Sequence, residues 1–295
     1  MKISLGTAQL GLDYGVSNKI GQIKKYDARR ILQYAYDKGI HMLDTAPSYG
    51  ESEDIIGNFS RSDFSDANFD IVTKTPHFKG DVITESQVKK LLEGFELSRK
   101  KLDQEIMHGF LVHSCDNLFL PGGDKLFHAI EQLKKDGVVK KIGVSVYSSK
   151  QIDRLLDNFP IDLIQLPVNI LDQRLLESGH LKKLKNHGIE IHARSVFLQG
   201  LLLMGFENVP PWFKPIQLAL KCFSLEAEMR NISALQLALG FVQSINEVDK
   251  IIVGVNTLEQ LRGIIKATSA HVNVNEFSNL SINDPTFLNP SNWKV

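Results

Sequence analysis

The chain has 295 residues, 43% of them hydrophobic and 23% charged, with 34 Lys and Arg set against 34 Asp and Glu. That composition is ordinary for a soluble globular protein, and zero formal net charge gives no electrostatic footprint for nucleic acid or an anionic membrane. Two cysteines, no apolar run of about 18 residues and an N-terminal MKISLGTAQLGLDYG without a signal-peptide core lead us to expect a reducing cytoplasmic location.

In chain order, short apolar runs at Ile3–Gly6, His41–Asp44, Asp70–Thr73, Gly109–His113, Lys141–Val146, Leu163–Pro167, Glu190–Ser195 and Lys250–Val255 read as strands. They are β-branched or aliphatic without strict alternation, the pattern of strands buried on both faces. Amphipathic segments lie between them. Asp27–Lys38 puts Ala28, Ile31, Leu32 and Ala35 on one stripe, Thr84–Lys101 puts Val88, Leu91, Leu92 and Phe95, and Asp124–Lys135 puts Leu126, Phe127, Ile130 and Leu133. Ser149–Asn158, Leu181–His187, Ile216–Ile245 with a break, and Leu258–Ala267 complete the helices. DKG, KDG and NHG before Ile40, Val138 and Ile189 are glycine stop signals.

Strand alternating with helix in this way predicts an α/β protein, a single (β/α)8 TIM barrel over residues 1–295. A doubly wound sheet is the rival, but no G-x-G-x-x-G follows the first strand. Pro210–Pro215 (PPWFKP) reads as a loop beside the site rather than a linker.

Barrel enzymes carry their active sites where the strands end. Asp44, Lys74 and His113 stand at or just beyond such ends, and Tyr49 lies in the loop after one. A phenol beside an amine is a way to make a proton donor that works near neutral pH. A free tyrosine has a pKa of about 10, and a neighbouring ammonium lowers it. A buried ammonium in turn needs a compensating carboxylate. Taken singly, the four read as a strand-end cap, a packing phenol, a surface lysine and a structural histidine; together, in order, they favour catalysis.

The segments LDTAPSYG, VTKTP and LVHS resemble signature segments of the aldo-keto reductases, as do GTAQLG, ELSRKKL, IGVSVY, LIQLPVNI and IVGVNTLEQL along essentially the whole chain. The resemblance implies NAD(P)H-dependent reduction of a carbonyl to an alcohol. Tyr49 would be the general acid, Lys74 would lower its pKa, Asp44 would pair with Lys74, and His113 would orient the carbonyl.

For the cofactor, the resemblance places Gly6, Thr7 and Asp44 near the nicotinamide ribose, and Ser145 and Gln165 on the carboxamide. Val146 stands where the family often has Asn. Arg194 occupies the place of an aromatic residue that stacks on the nicotinamide, a role a planar guanidinium also suits. Ser195, Phe197 and Gly200 would face the pyrophosphate, and Gly254, Asn256, Thr257 and Gln260 would cover the adenosine end. NADP(H) is expected over NAD(H), with Arg262 the nearest cation.

The expected substrate is a small carbonyl compound. The polar loop LDYGVSNKIGQ suits a sugar or another hydroxylated one, Ala8 replaces a Trp common in relatives, and Tyr14, Phe119, Trp212 and Trp293 are candidate pocket walls. No metal is expected, since His41, His113 and His192 are dispersed. A monomer or small homo-oligomer is anticipated. The alternative is a cofactor-binding regulatory or scaffold subunit of the same fold without significant turnover.

Overall fold

A computed structural model describes residues 1–62 and 67–294. Eight parallel strands close into a barrel: β1 (Ile3–Gly6), β2 (Met42–Asp44), β3 (Asp70–Lys74), β4 (Met107–Val112), β5 (Val139–Ser145), β6 (Leu163–Pro167), β7 (Glu190–Arg194) and β8 (Lys250–Gly254). Each strand pairs with the next, and β8 pairs back to β1. The expected strands are all present, β1 and β6 with the expected bounds and the others with edges moved by one or two residues. Lys74 is inside β3, whereas His113 lies one residue past the end of β4.

Side chains on a strand alternate between faces with a period of two. Met42, Val72, Leu111 and Leu163 form a buried cluster of their own, apart from the main core. Asp44, Lys74, His113 and Gln165 each follow one of these by two positions. Four strands therefore deliver an apolar layer and, one step nearer the strand C-termini, a polar layer. The register holds the rim level: Gly6 is opposite Asp44, Asp44 opposite Val72, Ser145 opposite Gln165, and Pro167 opposite Arg194.

The helices bury their apolar stripes on the outside of the barrel. Ala28, Ile31, Leu32 and Ala35 of helix Lys25–Asp37 are fully buried, as are Leu126 and Ile130 of helix Gly123–Lys135. In helix Glu85–Leu102 the expected stripe shifts. Leu92 is exposed and Val88 only half-buried, while Leu91, Phe95, Ser98 and Leu102 face inward, because the i, i+4, i+7 row wins the contact with its neighbours. The segment Ile216–Ile245 breaks into helices Gln217–Met229 and Ala234–Gln243 at Asn231, whose φ is 53°, and Ser233 with Gln236 forms a capping box on the second. Helix Ser52–Ser60 was not expected: its apolar residues span little more than a turn, with Gly57 among them. No helix of the described residues is long and apolar enough to cross a membrane.

Candidate active site

A cavity of about 1290 Å³ opens where the strands end. Its lining contains Asp44, Tyr49, Lys74 and His113 together. Lys74 is the hub. Its Nζ donates to Asp44 Oδ1 at 2.8 Å and Oδ2 at 2.9 Å, to the Thr45 carbonyl at 2.9 Å, and meets the Tyr49 hydroxyl at 3.4 Å. The lysine and aspartate side chains are 2% and 8% exposed, so this is a buried ion pair. Burial is the largest influence and works against the ammonium, but the charges and hydrogen bonds of Asp44 and Tyr49 together outweigh it and hold the Lys74 pKa above the ordinary value. Asp44 also accepts from Gln165 Nε2, so neither oxygen is orphaned.

Tyr49 is placed by a tight loop. Its amide donates to the Ala46 carbonyl at 3.0 Å, and its carbonyl accepts from the Ser52 amide at 3.1 Å. Gly50 has φ +57°, and a Cβ there would meet the Gly11 carbonyl oxygen at 2.3 Å. A Cβ on Gly11 would meet the Tyr49 carbonyl oxygen at 1.8 Å, so only this glycine pair allows the two loops to close. Desolvation raises the Tyr49 pKa, Lys74 pulls it down and Asp44 pushes it up again, with a net rise. Lys74 acts in the expected direction and lowers the phenol's pKa, but burial is the larger effect and the net value stays above that of a free phenol. The phenol is therefore protonated at neutral pH.

His113 is neutral. Burial, then Lys74, His77 and Arg194, lower its pKa to about 2. Its amide donates to Thr75 Oγ1 at 3.1 Å, and its ring lies edge-on to Tyr49 with centroids 6.3 Å apart. His113 Nδ1 is buried without a partner. The His77 ring covers His113 at 4.1 Å. Sequence reading passed over His77, although it stands only three residues after Lys74.

The other expected residues divide by position. Gly6, Thr7, Ser145, Gln165, Arg194, Ser195, Phe197, Gly200, Gly254, Asn256 and Gln260 all line the cavity. Thr257 does not; its hydroxyl caps helix Leu258–Ala267 by accepting from the Gln260 amide at 3.1 Å. Thr7 Oγ1 donates to the Asp44 carbonyl at 2.9 Å, which ties β1 to β2. Ser145 Oγ, Gln165 Oε1 and Asn256 Oδ1 are buried and lack partners. A buried polar atom without a partner is costly, so these three mark where a ligand's polar groups fit. The adjacent hydroxyl and amide oxygen of Ser145 and Gln165 offer a donor and an acceptor, the complement of a carboxamide.

Beyond β7 the backbone is left-handed at Ser195 (φ 59°), Leu198 (46°), Gln199 (52°) and Gly200 (90°). Such turns point amide groups into concavities that suit phosphate oxygens. Arg194 donates to the Val146 carbonyl at 3.1 Å and to Ser195 Oγ at 3.3 Å, with its guanidinium 4.1 Å from the Tyr147 ring centroid. At the far end Glu259, which the sequence reading did not single out, lines the cavity and engages Arg262 at 3.8 Å.

Tyr14 and Ala8 line the cavity, but Phe119, Trp212 and Trp293 do not. Phe119 lies under the Arg154 guanidinium at 3.9 Å, Trp212 packs toward Phe287 and Trp293 on Phe213. The expected loop at Pro210–Pro215 is largely a 3-10 turn, Pro211–Ile216, that buries Phe213 as packing rather than as a cavity wall.

Comparison with known proteins agrees with this architecture. The model of the aldo/keto reductase family matches residues 2–282. The chain is 24% identical to L-glyceraldehyde 3-phosphate reductase of Escherichia coli (strain K12), over 87% of this chain and 83% of that one. It is 24% identical to L-galactose dehydrogenase of Arabidopsis thaliana, over 90% and 84%. Among solved structures, the holo form of an aldo-keto reductase from Bacillus halodurans superposes with a TM-score of 0.73 at 18% identity, covering 99% of this chain and 94% of that one. A glycerol dehydrogenase from Gluconobacter oxydans gives 0.72 at 24% identity, covering 95% and 90%.

Proposed function

Because the chain belongs to the aldo/keto reductase family and is an NAD(P)H-dependent oxidoreductase, we propose that it reduces a small aldehyde or ketone to an alcohol, with Tyr49 as proton donor. One observation carries this reading: the Lys74 ammonium bridges the Asp44 carboxylate and the Tyr49 hydroxyl beside a neutral His113.

The residues divide the work. Tyr49 keeps its proton until charge develops on the carbonyl oxygen, and the phenolate left behind is stabilised by Lys74 at 3.4 Å. Asp44 keeps Lys74 charged in a dry site. His113 orients the carbonyl as an uncharged imidazole, which leaves the proton transfer to Tyr49. A bound reduced nicotinamide supplies the hydride. Ser145 and Gln165 would hold its carboxamide, with Gly6, Thr7 and Asp44 beside the ribose. Arg194, one face already on Tyr147, would offer the other to the ring. Ser195, Phe197 and Gly200 would take the pyrophosphate, and Gly254, Asn256 and Gln260 the adenosine end.

The expected preference for NADP(H) rests on Arg262 leaving Glu259 for a 2′-phosphate. Fluorescence titrations with NADPH and NADH side by side test it. The polar loop between β1 and helix Lys25–Asp37 supports a hydroxylated carbonyl such as a sugar. The reading takes residues 1–295 as one unit, since the family match runs through nearly all of it. It places that unit in the cytoplasm, as its free Cys115 and Cys222 suggest, as a monomer or small homo-oligomer.

The test is cofactor oxidation against neutral aldehydes, ketones and sugars. Consumption with at least one class is expected. Tight cofactor binding without turnover of any carbonyl would contradict the reading and favour a scaffold role.

A further inference from the structure

The cavity's charges do not cancel at its reactive end. Asp44 and Lys74 neutralise one another, and Glu259 stands at the other end with Arg262. What remains is Arg194. It is half-buried, and no ion pair joins it to an Asp or Glu among the described residues. Its contacts are a backbone carbonyl, a serine hydroxyl and the Tyr147 ring, all uncharged. They hold the guanidinium in place and leave its charge uncompensated. Lys19, from the loop after β1, adds a second cation to the lining.

A guanidinium has five N–H donors, and the two hydrogen bonds leave others available. A half-buried guanidinium with free donors and no anionic partner is suited to pairing with an anionic ligand. The surroundings fix where that ligand sits. Tyr14, Tyr49, His113 and Tyr147 line the same cavity as Arg194. Tyr14 accepts from Gln199 Nε2 at 3.2 Å and keeps its own proton to donate. This is the carbonyl end, and Arg194 reaches it electrostatically: its charge lowers both the Tyr49 and the His113 pKa.

We propose that Arg194 is a specificity-determining residue whose free N–H edge binds an oxyanion of the substrate, so that the preferred substrate is an anionic carbonyl compound bearing a phosphate or a carboxylate. The flat faces of the guanidinium and its N–H edge are separate surfaces, so stacking and anion binding coexist. The proposal rests on the carbonyl-reductase reading and refines it from hydroxylated carbonyls to charged ones.

Matched pairs test it with the holoenzyme. Glyceraldehyde against glyceraldehyde 3-phosphate is the phosphate arm, and butanal against succinic semialdehyde is the carboxylate arm. The readout is the ratio of kcat/KM for the charged and neutral members, which cancels any effect of the variant on the cofactor. Wild type is expected to favour the charged member about 10- to 100-fold in one arm, the range of one charge-assisted hydrogen-bonded contact. The arm that shows it identifies the anion. Arg194→Gln is expected to bring the ratio to about one, with Arg194→Lys between. A wild-type ratio near one in both arms, or an unchanged ratio in Arg194→Gln, overturns the proposal.

If no carbonyl is turned over, the reductase reading fails, and calorimetry decides the anion site alone. Inorganic phosphate or malonate binding at least tenfold weaker to Arg194→Gln than to wild type supports it; equal binding, or none to either, overturns it.

Discussion

The Lys74 ammonium lies 3.4 Å from the Tyr49 hydroxyl while bound to both oxygens of Asp44 at 2.8 and 2.9 Å. One cation thus serves a structural partner and a chemical one. Lys74→Met is expected to destabilise the protein by about 3 kcal/mol, because it strands a buried carboxylate, and to lower turnover at least 100-fold. Adding Asp44→Asn is expected to restore much of the melting temperature but none of the turnover. Recovery of both together would mean that the pair is structural only.

The protonation states set a pH profile. Reduction needs the protonated Tyr49, whose pKa is raised, so the reductive rate is expected to stay level through neutral pH and fall only in the alkaline range. His113, lowered to about 2, adds no acidic limb of its own above that value. An ionisation near pH 6.5 in the kcat/KM profile that disappears in His113→Asn would contradict this.

Much of the site is legible in the chain because strands have a period of two. Asp44, Lys74 and His113 follow Met42, Val72 and Leu111 by two residues, so finding the apolar positions locates the polar ones. Ser145 and Gln165 are legible through the resemblance of IGVSVY and LIQLPVNI to the family's segments, and the register sets them level. Side chains in loops follow no such period. His77 and Tyr147 from loops, and Glu259 from the first turn of helix Leu258–Ala267, reach the cavity or its residues through packing among segments distant in sequence. Phe119, Trp212 and Trp293 are drawn away from it by Arg154, Phe287 and Phe213. The direction of the Tyr49 pKa was equally hidden, because it depends on how deeply the phenol is desolvated.

The orphaned hydroxyl of Ser145 gives a prediction with opposite signs. Removing a buried oxygen that has no partner should cost the free protein nothing, so Ser145→Ala is expected to melt at the same temperature as wild type or slightly higher. Cofactor affinity is expected to fall about tenfold, the loss of one hydrogen bond of ~1.4 kcal/mol. Thermal shift and fluorescence titration read the two effects. A lower melting temperature with unchanged affinity would assign Ser145 to the fold alone.

The opposite end of the barrel governs acid stability. Glu190 is desolvated, which raises its pKa, but hydrogen bonds from His192 and Lys141 prevail and lower it from 4.5 to about 2. A depressed carboxyl pKa contributes stability that is present above about pH 4.5 and lost as pH falls toward 2. Glu190→Gln is expected to cost about 2 kcal/mol at neutral pH and to flatten the decline of stability across that window. Denaturant titrations at pH 7, 4.5 and 3 check it, and a cost that is the same at every pH would contradict the linkage.

The most direct test of the central claim is single-turnover hydride transfer in Tyr49→Phe, with cofactor affinity measured on the same preparation. Tyr49 as proton donor requires affinity within about threefold of wild type and transfer slower by at least 100-fold, the range of general-acid catalysis. Near-normal transfer in a variant that binds cofactor normally would contradict it.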